Sequence, residues 1–294
     1  FGRVAAERKT REGDPIIGNV QAGATSGPPP QRDNANMITL PDGLASITNM
    51  YFWQPIQGAF YAPCVDGDYD MGVIGHEYGH MIENRMLGKG SNRSGHHAGA
   101  MGESFGDMNG MEYQNENGFV PTSDENRFAV GTYDTGNKQR AIRNYGMNYP
   151  TSGDVPRAGR QLFTNALNFS DMGYDLTGPT PTSGNQVHAN GEIWSKVNFG
   201  IRTLLADKYD DDFPADDEDL QASCAEGVLP PQNCPGNRRW FQLYYDAMLL
   251  APAASSMLEL RDAMLAADGM RFGGANLEEI WLGRSEHWER EPTD

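Results

Sequence analysis

The stretch His76-Glu77-Tyr78-Gly79-His80 constrains this chain more than any other. On an α-helix, residues four apart share a face, so His76 and His80 project together. Two imidazoles at that spacing fit two corners of a zinc tetrahedron. Glu77, next to them, is placed to act on a metal-bound water. The helix itself is readable. Ile74, Tyr78, Met81, Ile82 and Met86 recur at spacings of three and four between about Asp70 and Leu87, and Gly88 is a suitable stop. A catalytic zinc needs three protein ligands and one open position. The fold must therefore carry a third donor to this helix from elsewhere.

That donor is expected in Glu103-Ser104-Phe105-Gly106-Asp107, which begins 23 residues after His80. Met101, Phe105 and Met108 mark a second helix over 98–114, although its several glycines disfavour a helix unless close packing demands them. Glu103 and Asp107 lie one turn apart. Glu103 would bind the metal, and Asp107 would accept a hydrogen bond from the far nitrogen of a ligating histidine. Glu112 is the alternative third ligand. Two neutral imidazoles and one carboxylate leave the site net positive, which lowers the pKa of a bound water toward about 7. His188, in VHANGEIW (187–194), precedes a third helix and is a candidate donor to a carbonyl oxyanion, the competing reading being a packing or capping histidine. His96 and His97 read as loop histidines and His287 as surface.

The 294 residues allow one large domain or two lobes, and 35 glycines with 18 prolines point to long loops. A formal charge of −17 argues against binding nucleic acid or anionic membranes. No apolar run approaches the roughly 18 residues of a membrane span. The chain starts at Phe1 without a visible leader, as expected of a fragment or of a processed protein. Cys224 and Cys234 bracket a Gly/Pro-rich stretch and are expected to form a disulfide worth about 2–3 kcal/mol, with Cys64 left over. This usage fits an oxidising, extracellular setting. The acidic stretches 66–70 and 210–219 carry carboxylates able to bind calcium, but neither has EF-hand spacing. They read as solvated loops, and Ca2+ stays unassigned.

Residues 21–34 form a turn-rich surface loop, and SITNMYFW (46–53) reads as a strand. The segment 116–186 is largely irregular, with one short helical piece near 138–144. Helices are expected over 190–205, 238–250, 256–268 and 277–290. Ser256 with Glu259 forms a capping box and Gly269 a stop.

Several ordered blocks carry a family resemblance: DNANMITLPDG (33–43), MYFW (50–53), DGDYDMGVIGHEYGHMIENRM (66–86), GAMGESFGDM (99–108), AIRNY (141–145), VHANGEIW (187–194), YYDAMLL (244–250) and ELRDAML (259–265). The chain resembles the catalytic domain of a fungalysin-type secreted metallopeptidase, a relative of the thermolysin-like gluzincins. The resemblance implies an α+β, two-lobed zincin fold. Residues 1–90 would form a sheet-plus-helix front lobe with the His76–His80 helix, and its MYFW strand would be an edge that pairs with substrate backbone. Residues 91–294 would form a mainly helical rear lobe carrying Glu103 and His188. It implies one catalytic Zn2+ on His76, His80 and Glu103, with Glu77 as general base and Asp107 supporting a ligand. His188 would stabilise the oxyanion, and Arg143 would bond a substrate carbonyl.

Three positions depart from the pattern. Met81 follows the second histidine where Gly is frequent. Ser183 stands where thermolysin-like enzymes place an Asp five residues before the oxyanion histidine, so His188 needs another orienting partner. No Tyr lies between His80 and Glu103 to serve as a second donor. The expected activity is endopeptidase cleavage of extracellular proteins or peptides by a secreted monomer whose own propeptide inhibits it. A zinc aminopeptidase and a catalytically inactive binding module are the alternatives.

Overall fold

The computed structural model describes residues 15–24, 31–41, 43–87, 94–119, 128–138, 141–148, 165, 167–172 and 186–288. The architecture is α+β. Two small sheets precede the first helix, and the rest is mainly helical.

Strand β3 (Ser46–Met50) is central, parallel to β1 (Ile16–Asn19) on one side and antiparallel to β2 (Ala35–Ile38) on the other. β4 (Phe52–Trp53) pairs with β5 (Val65–Asp66), and Phe52 also bridges to Arg32. The expected edge strand over 46–53 is thus corrected. It breaks at Tyr51, and its first part has neighbours on both sides. Beyond β3 the pairing partner changes from β1 to β5: the Gly67 N–H donates to the Tyr51 carbonyl at 3.1 Å, and a Cβ on Gly67 would sit 2.6 Å from that oxygen.

Helix α1 (Met71–Met86) starts at Asp70, whose Oδ1 accepts from the N–H groups of Gly72 and Val73. Its sheet-facing side buries Val73 against Ala35 and Met50. Its opposite side lies on α2 (His96–Glu116), and there the glycines explain themselves. A Cβ on Gly75 would meet the Gly110 Cα at 2.6 Å, and one on Gly79 would meet the Gly106 Cα at 2.9 Å. Only bare backbones fit at this crossing. The glycines that seemed to argue against the second helix are what bring Glu103 and Asp107 within reach of His76.

The main core joins α2 to α4 (Val187–Tyr209), α6 (Gly236–Leu250), α7 (Met257–Phe272) and α8 (Leu277–Trp288). Phe105, Trp194, Trp240, Tyr244 and Met248 fill it, and the Trp194 indole N–H donates to the Tyr244 hydroxyl at 2.8 Å. Both tryptophans have a polar handle satisfied, since the Trp240 N–H reaches Asn198 Oδ1.

Other expectations shift. The described residues of the expected helical piece near 138–144, namely 138 and 141–144, are not helical; a short helix, α3, occupies Thr132–Thr135, and Ala141 sits at φ 52°. α7 runs past Gly269 and ends at Gly273, the residue that adopts the left-handed cap at φ 67°. The Ser256–Glu259 capping box is present. The acidic stretch 210–219 holds the start of a further helix, α5 (Glu218–Ala225), capped by Asp217 and with Glu218 and Asp219 in its first turn. Cys224 and Cys234 are bonded with Cα atoms 5.9 Å apart, and Cys64 is free and exposed. Among the described residues no helix is long and apolar enough to cross a membrane. Gly88 and Ser183 lie outside the described residues.

Candidate metal centre

His76 and His80 project from one face of α1, with their rings 4.5 Å apart. From α2, Glu103 reaches both: its Oε2 lies 3.3 Å from His76 Nε2 and its Oε1 3.7 Å from His80 Nε2. Zinc–nitrogen bonds near 2.0–2.1 Å imply tetrahedral edges of about 3.3 Å, so the spacing suits that ion. Among the described residues this is the one group of three His, Cys, Asp or Glu donors with ligand atoms all within 4.8 Å of one another. Glu112, the alternative third ligand, lies elsewhere, buried against Arg202 and Asn237. His96 opens α2 with its ring against Asn190, and His97 lies beside Phe169; neither joins the group. The His287 side chain lies outside the described residues.

The far side of His76 is held by Asp107. Its Oδ1 lies 2.7 Å from His76 Nδ1. A carboxylate only accepts, so Nδ1 carries the proton and Nε2 offers its lone pair to the centre. Arg143 clamps Asp107 in turn, Nε to Oδ2 at 2.8 Å and Nη2 to Oδ1 at 2.7 Å. All three groups are buried, so their charges act through little water. Burial opposes ionisation of Asp107, but Arg143 and His76 outweigh it and hold the carboxyl below its ordinary range. For Glu103 burial is likewise overcome by His76, His80 and His188, which hold it well below. Burial pulls His76 down, yet Asp107 and Glu103 raise it to about 10. Taking a metal there therefore means losing a proton.

Glu77 sits next to the group and is 5% exposed. Its Oε2 is buried with no hydrogen-bond partner among the described residues. Desolvation pushes its pKa up to about 7. A poised carboxylate oxygen without a partner, beside three donors of nitrogen and oxygen type, fits a metal with a bound water.

His188 enters from the start of α4, its Nε2 3.2 Å from Glu103 Oε2. α4 comes this close because Gly191 lies against α2, where a Cβ would be 2.7 Å from the Ala100 carbonyl oxygen and 3.0 Å from Glu103 Cβ. Desolvation pulls the His188 imidazole below its ordinary pKa. The structure thus brings together His76, Glu77, His80, Glu103, Asp107, Arg143 and His188.

Two residues were missed in the sequence. Gln186 caps α4, and its Oε1 faces both the His188 N–H at 2.5 Å and the ring Nδ1 at 2.9 Å. Glu192, buried one turn further, accepts from the Asn144 and Tyr145 N–H groups at 3.1 and 2.9 Å and so ties the Arg143 segment to the His188 helix. A cap-type side chain just before V-H was a signal for Gln186. Glu192 carried no such signal, since its neighbours one turn away, His188, Ser195 and Lys196, are polar.

A cavity of about 1170 Å³ does not contain this centre. It lies against the opposite face of α1, lined by Tyr78, Ile82, Met86, Phe241 and Tyr245 among others. Volume is not chemistry here; the converging donors mark the site.

The family model described as "Fungalysin metallopeptidase (M36)" matches residues 1–286. The chain belongs to this family. An extracellular metalloproteinase, mep, of Aspergillus niger is 30% identical over 277 residues, covering 93% of this chain and 37% of that protein. Extracellular metalloproteinase 9 of Coccidioides posadasii is 28% identical over 276 residues, covering 93% and 36%. A solved precursor of protealysin, a metalloproteinase from Serratia proteamaculans, aligns with a TM-score of 0.46 at 13% identity, covering 82% of this chain and 62% of that one. This fungalysin chain spans little more than a third of the length of the curated relatives it matches. A metal is implied by the family.

Proposed function

We propose that this chain carries the zinc endopeptidase centre of a secreted fungalysin. The observation that supports it most is the convergence of His76 Nε2, His80 Nε2 and Glu103 beside the partnerless Oε2 of Glu77. His76, His80 and Glu103 would hold the ion. When bound, zinc supplies Lewis acidity to the scissile carbonyl and acidity to a water.

The protein's own groups do the rest. Glu77 takes the proton of the attacking water and returns it to the leaving amine, a role its raised pKa suits. Asp107, clamped by Arg143, fixes the His76 tautomer. His188 Nε2, already at the centre, would donate to the carbonyl oxygen as charge builds on it once the ring takes up a second proton, because the Nδ1 proton is already given to Gln186 Oε1. Arg143 spends its Nε and one Nη2 bond on Asp107, so a substrate carbonyl would use its remaining N–H groups. The extracellular setting of the named relatives and the Cys224–Cys234 bond support secretion. The substrates would be extracellular proteins or peptides, and a propeptide the inhibitor.

The test is Glu77→Gln. This variant should keep about one zinc per chain by metal analysis and lose about 10²–10⁴-fold in casein hydrolysis. Undiminished hydrolysis would remove Glu77 as the base. Cleavage of an N-acetylated peptide by the parent chain excludes an aminopeptidase. Absence of any zinc-dependent hydrolysis would leave the inactive binding module.

A further inference from the structure

A second cluster of acids lies at the other end of α1 and contributes nothing to the centre above. The turn entering the helix carries Asp66, Asp68 and Asp70, and α3 brings Asp134 to the same place, its N–H 3.2 Å from Asp70 Oδ2. Asp70 is fully employed. Its Oδ1 caps α1, and its Oδ2 accepts from Tyr133 and Asp134.

The other three are not. Asp134 is 1% exposed, yet among the described residues neither of its carboxylate oxygens has a hydrogen-bond partner. Asp66 Oδ1 and Asp68 Oδ1 are buried and likewise without partners among the described residues. Asp66 and Asp68 face each other within hydrogen-bonding range, though neither ionised group can donate. The charges acting on the Asp134 carboxyl are those of Asp70, Asp66 and Asp68, all of one sign. Burial, then those three acids, raises Asp134 to about 8. A proton on Asp134 would supply one donor for four stranded oxygens. Leaving buried acceptors unpaired is costly, and like charges make it worse.

We propose that Asp66, Asp68 and Asp134 form a calcium site. The donors are all carboxylate oxygens, the hard set that calcium prefers, with none of the nitrogen or sulfur that selects zinc. Magnesium demands near-ideal octahedral geometry, whereas calcium accepts the irregular arrangement of a turn and a short helix. The three groups must close by side-chain rotation to share an ion, since among the described residues only the His76 group already has its donors within 4.8 Å. That rearrangement places the affinity in the 10⁻⁴–10⁻³ M range of extracellular modules. The ion would fasten α3 to the turn that caps the metal-binding helix. It would stabilise the fold without touching the ligand group.

The experiment uses the full chain carrying Glu77→Gln, to prevent self-digestion, at constant buffered zinc. Calcium chloride at about 10 mM should raise the melting temperature by about 3–10 °C, and sodium chloride of equal ionic strength should not. Terbium, a calcium probe, should emit on tyrosine excitation, because the rings of Tyr69 and Tyr133 lie 6.4 Å apart beside the acids, and calcium should quench that emission. Asp134→Asn should abolish both responses. Above the pKa of about 8 to which burial raises Asp134, it should also melt higher than its parent when calcium is withheld, since the buried charge present there is gone. Asp68→Asn, at a more exposed position, is the second variant and should weaken both responses. No calcium shift in the parent, or an equal shift in Asp134→Asn, overturns the proposal. Neither result depends on whether the zinc centre hydrolyses peptides.

Discussion

Arg143 and Asp107 meet through two parallel hydrogen bonds of 2.8 and 2.7 Å, and the same Asp107 oxygen that takes Arg143 Nη2 also takes His76 Nδ1. The ligand, its acid and the clamp on that acid form one buried unit. Removing the middle member leaves a guanidinium and an imidazole without their common partner. Asp107→Ala should weaken zinc binding by about 10–100-fold, read by competition with a chromophoric chelator. It should also cost about 3–5 kcal/mol in urea unfolding, because breaking a buried pair strands the remaining charge. Arg143→Lys should fall between, since an ammonium cannot reproduce the planar fork. Unchanged zinc affinity in Asp107→Ala would show that the ring of His76 is held by packing alone.

The crossing of α1 and α2 makes a prediction about size. A Cβ on Gly106 would come 2.7 Å from His76 Nδ1 and 2.9 Å from the His76 carbonyl oxygen. Gly106→Ala should therefore push a ligand off its acid, costing about 1–3 kcal/mol in stability and a measurable part of zinc affinity. Gly269→Ala is the matched control. That glycine lies inside α7 with nothing within 4 Å of an added Cβ, so the variant should gain about 0.5–1 kcal/mol. Opposite signs in the two unfolding curves are the expected result.

Much of the site was legible because its chemistry repeats at helical spacing. His76 and His80, and Glu103 and Asp107, each lie one turn apart, and that periodicity survives without knowledge of the fold. The three main rear helices were legible for the same reason. What failed was whatever depends on a distant partner. The strand over 46–53 changes partner at Tyr51, where the Gly67 N–H meets its carbonyl, and nothing in SITNMYFW announces it. The end of α7 was placed at Gly269, but the choice between two glycines turns on which one must be left-handed. Residues 66–70 read as a solvated loop because Asp134, whose N–H meets Asp70, lies more than sixty positions away.

Gln186 takes the orienting place that Ser183 leaves open in the sequence pattern, and it has two duties that mutagenesis can separate. One oxygen caps α4 and faces the ring of His188. Gln186→Ala should lower stability by about 1 kcal/mol through the lost cap. It should also lower kcat by about 10-fold, part of the 10²–10³ that an oxyanion donor contributes. Gln186→Ser restores a capping oxygen on too short a side chain to serve the ring as well, so stability should recover and kcat should not. Gln186→Glu keeps the reach and should recover kcat. Full kcat in Gln186→Ser would reduce Gln186 to a helix cap.

Glu192 gives the fold a pH dependence of definite sign. Burial raises its pKa from 4.5 to about 7, against the pull of the Asn144 N–H and the charge of Arg143. An acid whose folded pKa lies above its unfolded value keeps its proton longer in the native state. The folded chain then binds more protons than the unfolded one between pH 4.5 and about 7, and stability falls as pH rises through that window. Glu192 contributes no such loss below pH 4.5, where both states are protonated. A shift of this size corresponds to about 3 kcal/mol across the window. Glu192→Gln keeps an acceptor oxygen for the Asn144 and Tyr145 N–H groups and removes the ionisation. Urea unfolding from pH 4.5 to 8 should therefore show a flatter profile for the variant, with the two proteins equal at the acid end and the variant ahead at pH 8. Parallel profiles would mean that the donors from 144 and 145 already compensate the buried charge in full.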